Sequence, residues 1–277
     1  MPLVITVRES FSIPLEVDAV RLEDVRGMSA DAVRRILVQH GNRQPALGEL
    51  CDVAGSAADD ETLVWRGDCS RVKLIGTHLK SGRVRVEGDA GMHLGAEMTG
   101  GEILVEGNAA DWLGAEMHGG KIHVRGNAGH LVGAVYRGGR RGMTGGVILV
   151  EGNAGNEIGH TLRRGVIAIG GDCGDAPGFN MLAGTVLVFG ECGIRPGAGM
   201  RRGTIALLGN EDVELLPTFR RSGTQRFVFL RFYLLRLKEL GFPVPDGVLD
   251  AACRRYAGDF LESGRGEILL RAVSPGP

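Results

Sequence analysis

The chain has 277 residues, a formal net charge of −1 at pH 7 and an apolar fraction of 43%. The near-zero charge gives no electrostatic reason to expect a nucleic acid or an anionic membrane as partner. No stretch approaches the ~18 consecutive apolar residues of a membrane span, and the N-terminus lacks the features of a secretory signal, so the sequence predicts a cytoplasmic protein.

Residues 1–60 are predicted to form an N-terminal α/β cap. Residues 1–17 alternate weakly between apolar and polar, as an edge strand or a hairpin does. Residues 29–41 begin with the potential cap Ser29, continue with an apolar stripe and end at Gly41, which together predict a helix.

Residues 61–210 consist of a glycine-rich phrase that recurs every 19 residues. The glycines that open its copies are Gly82, Gly101, Gly120, Gly146, Gly165, Gly184 and Gly203. A degenerate copy starts at Glu61, and the one irregular interval, 26 residues from Gly120 to Gly146, holds a predicted loop at 136–142. A short fixed period is typical of a solenoid.

Each copy contains one short stretch with the alternation of a β-strand. The positions two and four residues after the opening glycine are apolar, as at Ile103 and Val105. Successive copies can pair such strands in parallel about 4.8 Å apart, and parallel crossovers are right-handed by strong default. The sequence therefore predicts a mainly β protein, a right-handed parallel β-helix (solenoid) of about seven 19-residue turns with α-helical or irregular caps at both ends.

Three further columns contain residues that are sometimes functional. They hold Cys69, Cys173 and Cys192 among alanines; Met98, Met117, Met181 and Met200 with Leu162; and Asp89, Asn108, Asn127, Asn153 and Asp172. A metal site needs three or four converging ligands, so the cysteines and methionines are interpreted as packing. The Asp and Asn side chains are interpreted as a ladder that hydrogen-bonds the turn backbone.

Residues 211–277 lie beyond the repeat and are predicted to form a C-terminal helical cap or interaction segment. Residues 225–240 carry an apolar stripe that predicts a helix, and a second helix is predicted near 249–262. Caps of different structure protect the unpaired strands at the ends of a solenoid from edge-to-edge aggregation.

The outward strand positions change from charged in the early turns to apolar in the late turns. The late positions hold Val147, Leu149, Val166, Leu187, Phe189 and Leu208. An apolar strip of this length is not expected to stay in water. Two explanations stay open from the sequence: the C-terminal helix covers the strip, or the strip is an interface for another subunit.

Arginines cluster at one predicted corner of the coil and in the inserted loop. They are Arg137, Arg140, Arg141, Arg163, Arg164, Arg201 and Arg202. One interpretation is that they are solvated turn residues. The other is an arginine stripe that binds a polyanion or an acidic subunit, because stacked turns place guanidinium groups at multiples of about 4.8 Å.

No catalytic motif with the required spacing is found in the sequence. A phosphate-binding loop, a nucleophile elbow and a zinc-binding H-E-x-x-H motif are absent, and no catalytic residue or metal ligand is predicted. An acid pair such as Glu97 and Glu116 imitates the carboxylates of a glycosidase or lyase, but the surrounding face is poor in aromatic residues. A stand-alone β-helix enzyme such as a polysaccharide lyase is the alternative of another class.

Several phrases resemble a known family. Gly126-Asn-Ala-Gly-His-Leu-Val-Gly133, Gly114-Ala-Glu-Met-His-Gly-Gly-Lys-Ile122 and the glycine-rich stretch 142–155 are similar to the β-helix shared by the C-terminal domain of glutamate synthase and the C subunit of formylmethanofuran dehydrogenase. The similarity to the dehydrogenase family is the closer of the two, because the tail at 254–269 also resembles the ending of its C subunit.

The resemblance implies a subunit without its own active site in a methanofuran-dependent one-carbon complex. Its partners there would be hydrolase-like, formyltransferase-like and dehydrogenase-B-like chains. The archaeal complex of the family reduces carbon dioxide with tungsten or molybdenum. The methylotrophic bacterial complex passes a formyl group from tetrahydromethanopterin to methanofuran and releases formate.

The large excess of arginine over lysine is typical of a GC-rich bacterial genome and favours the bacterial complex. No cofactor is expected on this chain alone. The resemblance also implies a methanofuran with a polyglutamate tail, which is a polyanion that suits the arginine stripe.

Overall fold

The computed structural model describes residues 1–209 and 213–272. Strands in these ranges are β1 (Leu3–Val7), β2 (Leu15–Glu16), β3 (Gln39–His40), β4 (Cys51–Ala54), β5 (Thr62–Arg66), β6 (Val72–Lys73), β7 (Arg83–Val86), β8 (Glu102–Val105), β9 (Lys121–Val124), β10 (Val147–Val150), β11 (Val166–Ile169), β12 (Thr185–Val188), β13 (Arg202–Leu207), β14 (Arg220–Gln225), β15 (Cys253–Gly258) and β16 (Arg265–Arg271). The helices are α1 (Leu22–Val25), α2 (Ala30–Arg34), α3 (Leu47–Leu50) and α4 (Val228–Glu239). None of these helices is long and apolar enough to cross a bilayer.

The protein is mainly β, and among the described residues thirteen strands form one large sheet. From β5 to β13 each repeat strand pairs in parallel with the strand of the next repeat, in register: Ile103 lies opposite Ile122, and Ile122 lies opposite Ile148. The predicted strand in each repeat is confirmed. A large parallel sheet built from one strand per repeat is the arrangement that a β-helix requires.

The predicted inward columns form the hydrophobic core. Ile103, Ile122 and Ile148 are buried, as are all the methionines of the predicted column. The cysteines and alanines form a second line of parallel bridges between turns, including Cys173 with Cys192. Burial raises the pKa of the Cys69 thiol to about 12. These observations confirm packing as the role of both columns.

The polar column forms the predicted ladder. The backbone N–H of Asn108 donates to Asp89 Oδ1 at 2.7 Å, and that of Asn127 donates to Asn108 Oδ1 at 2.8 Å. A second ladder, which the sequence did not predict, runs three residues further along each turn. In it the His130 N–H donates to Asp111 Oδ1 at 2.8 Å. Both ladders satisfy turn N–H groups that the strands leave unpaired.

The N-terminal segment adds strands to the early end of the sheet. β1 pairs in parallel with β5 and antiparallel with β4. The helix predicted at 29–41 is wrong in its length, because α2 ends at Arg34. Ser29 caps it as expected by accepting from Ala32 N. The chain then pairs as β3 with β2, and this tertiary pairing overrides the helical stripe.

The C-terminal segment adds strands to the late end. α4 confirms the helix predicted at 225–240, but the helix near 249–262 is wrong. β15 runs antiparallel to β16 there, and β16 pairs in parallel with β13 and so extends the main sheet. The unpaired edge of β13 offers backbone partners that a helix cannot use, which favours a strand. The predicted segment boundary at 210 lies outside the described residues.

The late apolar strip is covered by α4. Leu149, Leu187 and Phe189 are buried and form one cluster with Leu230 and Leu234 of the helix. Of the two open explanations the structure supports coverage by the chain itself. Leu149, Leu187, Phe189 and Leu208 are buried in this cluster, whereas Val147 and Val166 are only partly buried against it. A subunit interface at these six residues stays a prediction.

Candidate functional site

The most irregular part of the coil is the corner from which the inserted loop leaves. Two columns at this corner, eleven and fifteen residues after each opening glycine, have positive φ although they are not glycine. Members of these columns include His93 (+64°), Trp112 (+59°), Glu157 (+55°), Glu97 (+54°), Glu116 (+51°), Thr161 (+57°) and Asn180 (+52°). A positive φ costs a non-glycine residue on the order of 1 kcal/mol.

A glycine lies between the two columns, thirteen residues after each opening glycine, because a side chain there would collide with the core. A Cβ on Gly95, where φ is +65°, would lie 2.6 Å from Ile122 Cδ1 in the core. This observation fits the prediction that glycines mark the corners. The flanking columns point outward, so side chains are tolerated there at the cost of strain.

An aromatic cluster lies on this corner. The rings of His93 and Trp112, one turn apart, stack with centroids 5.5 Å apart and an interplanar angle of 24°. Tyr136, the first residue of the inserted loop, packs against both, 5.5 Å from His93 and 6.2 Å from Trp112. The loop therefore folds back over the two preceding turns.

A hydrogen bond of 3.0 Å joins Tyr136 Oη and His93 Nδ1. Burial lowers the pKa of His93, and burial, followed by Glu97 and Glu116, raises the pKa of Tyr136 to about 12. At neutral pH the imidazole is therefore uncharged and the phenol is protonated. The Tyr136 hydroxyl donates to His93 Nδ1 in one imidazole tautomer, and the His93 Nδ1–H donates to Tyr136 Oη in the other.

The inserted loop is fixed at both ends. The Tyr136 N–H donates to Glu116 Oε1 at 3.0 Å, and the Gly142 N–H donates to the Thr161 carbonyl at 3.0 Å. Glu116 is thus engaged as a loop anchor, and its predicted companion Glu97 lies 3.9 Å from His78. Glu116 therefore holds the inserted loop, whereas Glu97 lines the cavity on the His93 side of Tyr136.

Two cavities flank Tyr136. One of about 440 Å³ is lined by Trp112, Tyr136, Arg137, Glu157, His160 and Asn180. Within it His160 Nδ1 lies 2.9 Å from Glu157 Oε2, and the His160 ring meets Phe179 edge to face at 5.0 Å. The other, of about 360 Å³, lies on the His93 side of the tyrosine. We call the first one the loop cavity.

The structure separates the predicted arginine stripe into groups. Arg137, Arg140 and Arg141 are exposed on the inserted loop, and the Arg163 N–H donates to the carbonyl of Met143, just after the loop returns. Arg164 follows on the same turn. Arg201 and Arg202 lie two turns further on, and the intervening turn has Leu182 and Ala183 in these places.

Arg201 differs from the rest because its Nε donates to Glu262 Oε2 at 3.1 Å. The side chains of the other six make no hydrogen bond or ion pair within the described ranges. They are available to bind an anion.

Sequence reasoning missed the aromatic cluster. The signal was present in part, since one of only two tryptophans falls 19 residues after His93 in an outward column. The position of Tyr136 had no such signal, because an inserted loop follows no repeat register.

The early outer face of the sheet carries a ladder of ion pairs. Arg85 Nη2 lies 3.1 Å from Glu106 Oε1, Arg125 Nε lies 2.9 Å from Glu106 Oε2, and His123 Nε2 lies 2.8 Å from Glu151 Oε1. The charged early face is thus arranged in alternating signs. It suits a solvated surface better than a binding site for a single anion.

The model of the GXGXG motif family matches residues 71–217, which is more than half of the chain. The chain belongs to the GXGXG family. A solved structure similar to this member of the family is the formyltransferase/hydrolase complex (FhcABCD) from Methylorubrum extorquens in complex with methylofuran. One chain of it matches with a TM-score of 0.90 and 32% identity, over 98% of this chain and 100% of that one.

Curated relatives of this GXGXG chain are C subunits of formylmethanofuran dehydrogenases. Identity is 45% over 95 residues with the molybdenum-containing enzyme 1 of Methanothermobacter marburgensis, covering 34% of this chain and 24% of that one. It is 40% over 97 residues with the tungsten-containing enzyme 2 of Methanothermobacter thermautotrophicus, covering 34% and 36%. The matched segment spans about a quarter to a third of these relatives. The resemblance to the C subunit of this enzyme family is confirmed.

Proposed function

We propose that this chain is the non-catalytic scaffold subunit of a methanofuran-dependent formyltransferase/hydrolase complex. The complex would pass a formyl group from tetrahydromethanopterin to methanofuran and hydrolyse it to formate. The observation that carries the proposal is the match of 98% of this chain to the whole of one chain of the FhcABCD complex. This coverage includes the segments before and after the repeat. The repeat alone would be weaker support, because proteins with unrelated functions can share one fold.

The partners in this proposal are hydrolase-like, formyltransferase-like and dehydrogenase-B-like chains in the cytoplasm. We infer that the scaffold is a right-handed solenoid of about seven 19-residue turns at 61–210, between caps at 1–60 and 211–277. The in-register parallel pairing of β5 to β13 supports this shape. A rod of this kind offers a long, rigid surface to several subunits.

The unpaired arginines have a role in this proposal as a binding surface for the polyglutamate tail of methanofuran. Six of the seven predicted residues lack a side-chain partner in the described part of the chain. Carboxylate binding by arginine is strong because the hydrogen bonds are charge-assisted. The test is Arg163→Glu combined with Arg164→Glu, which should weaken methanofuran retention by the complex in a salt-dependent way; unchanged retention would contradict this role.

Co-production with the candidate partner chains tests the scaffold role. We expect this chain to co-purify with them in one hetero-oligomer, which native mass spectrometry measures, and formyl transfer to fall when the chain is left out. The chain alone should cleave no polyuronate. A complex that assembles and works without the chain, or lyase activity of the chain alone, would refute the proposal.

The second candidate is a subunit of a carbon dioxide-reducing formylmethanofuran dehydrogenase. It is favoured by the local identity of 45% with the molybdenum-containing relative and 40% with the tungsten-containing one. Elemental analysis separates the candidates: stoichiometric molybdenum or tungsten in the purified complex would support the dehydrogenase.

A further inference from the structure

We propose that the loop cavity binds a small anion that carries a flat aromatic ring, with the ring between Trp112 and His160 and the anionic arm on Arg137. The contact between the anionic arm and Arg137 rests on the anion-binding role proposed above for the loop arginines and makes it more specific. The ring site is a separate feature, and nothing in the scaffold role requires it.

The size of the loop cavity fits a small molecule. Its volume of about 440 Å³ falls within the roughly 300–1,000 Å³ of small-molecule sites. Its walls are fixed, because Tyr136 is held by Glu116 and by His93 and the loop closes on Thr161. A preformed site of this kind binds with little loss of conformational freedom.

The walls are unusually aromatic for this chain. Only 5% of its residues are Phe, Trp or Tyr, yet Trp112 and Tyr136 both line the loop cavity, together with the imidazole of His160. Aromatic faces and edges bind flat rings by stacking or edge-to-face contact. The concentration of rings at one corner selects a ligand with a ring over an aliphatic anion.

Among the described residues, the unpaired polar groups that line the loop cavity are the Arg137 guanidinium, which only donates, and the Thr161 hydroxyl and Asn180 amide, which donate and accept. Trp112 Nε1 is buried and has no partner in the described ranges, and the Arg137 guanidinium also has none. The main acceptor, the Glu157 carboxylate, is already paired with His160. The Arg137 guanidinium is thus the charged donor that the loop cavity offers, and a guanidinium suits a carboxylate or a phosphate.

The backbone at this cavity is strained where glycine would be cheaper. Trp112, Glu157, Thr161 and Asn180 all have positive φ and all line the cavity. Positive φ in non-glycine residues is often found at functional sites. Positive φ also occurs in these columns outside the cavity, at Ala176 and Arg195, so this conformation belongs to the repeat, which presents the four side chains at the cavity.

The fluorescence of the full-length chain tests the proposal directly. Trp65 is fully buried in the core, so a ligand-dependent change in tryptophan emission reports on Trp112. The probes are p-aminobenzoyl-triglutamate, triglutamate without a ring, and adenosine monophosphate. We expect a saturable change with a ring-bearing probe, at least about tenfold weaker binding of triglutamate, and at least about tenfold weaker binding by Arg137→Glu.

The matched control is Arg83→Glu. Arg83 is exposed on the outer face of β7, away from the corner, and has no ion-pair partner in the described part of the chain. This variant should bind like the wild type. Circular dichroism of both variants checks that they are folded.

Each outcome decides a point. Binding of the aryl glutamate supports a carboxylate arm, and binding of the nucleotide alone supports a phosphate arm at the same site. The proposal is overturned by no saturable change with any probe, by equal affinity for triglutamate, or by wild-type affinity of Arg137→Glu.

Assembly of the complex separates this proposal from the scaffold role. If Arg137→Glu and Trp112→Phe assemble normally while no probe binds the wild type, only the cavity proposal fails. If either substitution prevents assembly, the corner is a subunit interface; the cavity proposal is then overturned and the scaffold role stands.

Discussion

The same repeat builds two different outer faces on the main sheet. One outward column runs through Arg85, Leu104, His123, Leu149 and Leu187, paired in register from strand to strand. Arg85 is exposed, Leu104 is half-buried and His123 is buried, and from Leu149 onward the column is buried under α4. The 19-residue period thus determines which residues form the core. The individual outward residues determine whether the outer face of a turn contacts solvent or α4.

The sharpest test of this difference is a charge under α4. Leu234→Asp would bury a carboxylate without a partner in the cluster around Leu187, and we expect it to reduce the free energy of unfolding by about 4 kcal/mol or more. The matched control is Leu235→Asp on the exposed side of the same helix, where the expected loss is below about 1 kcal/mol. Urea unfolding measures both, and equal losses would show that α4 does not cover the sheet.

A truncation compares the two faces within one column. Leu149→Ala on the covered face should cost about 2–5 kcal/mol, because it leaves a cavity under α4. Leu104→Ala is two turns earlier on the open face and half-buried, so we expect less than about 1.5 kcal/mol. Thermal unfolding of the two variants gives the ranking, and a reversed order would contradict the comparison.

The pH dependence of stability tests the residue at the boundary, His123. Burial, which outweighs the hydrogen bond with Glu151, lowers its pKa below 6.5 in the folded chain. The unfolded chain therefore binds more protons below that pH, and the free energy of unfolding falls as the pH falls from about 6.5 through the folded pKa.

His93 acts with the same sign, because its pKa is also lowered. The informative variant is therefore His123→Gln, which leaves His93 in place. Its urea midpoint should change less between about pH 7.5 and about pH 5.5 than that of the wild type. An equal change in the two proteins would assign the dependence to other groups.

The smallest effect is expected from the ion pairs of the early face. The Arg85 side chain is 48% exposed beside Glu106, so Arg85→Ala should cost roughly 0.2–1 kcal/mol, and less at high salt. A loss of several kcal/mol, insensitive to salt, would mean that the open face is stabilised like the covered one.

The sequence allowed accurate prediction where the controlling interactions are local or periodic. Ile103 and Ile122 reveal a strand in each repeat because alternation and the 19-residue period act together. The stripe with Leu230, Leu234 and Leu237 predicted α4 in the same way.

Prediction failed where a distant partner decides the local structure. β16 forms a strand because it pairs with the edge of β13, and β15 in turn pairs with β16. The helix α2 ends early because the residues after it form β3, which pairs with β2. At the candidate site the loop arginines were visible in the sequence. The contact of Tyr136 with His93, 43 residues away, was not, because it depends on where an insertion folds back.

The two ends of the main sheet both reverse direction. β4 runs antiparallel to β1 at one end, and β14 runs antiparallel to β15 at the other. Another copy cannot simply continue the parallel stacking beyond these reversals, so the number of turns sets a finite length. The number of turns therefore sets the distance between the two ends of the main sheet. Removing one 19-residue turn would shorten that distance by about 4.8 Å, and proteins bound at the two ends would come closer by the same amount.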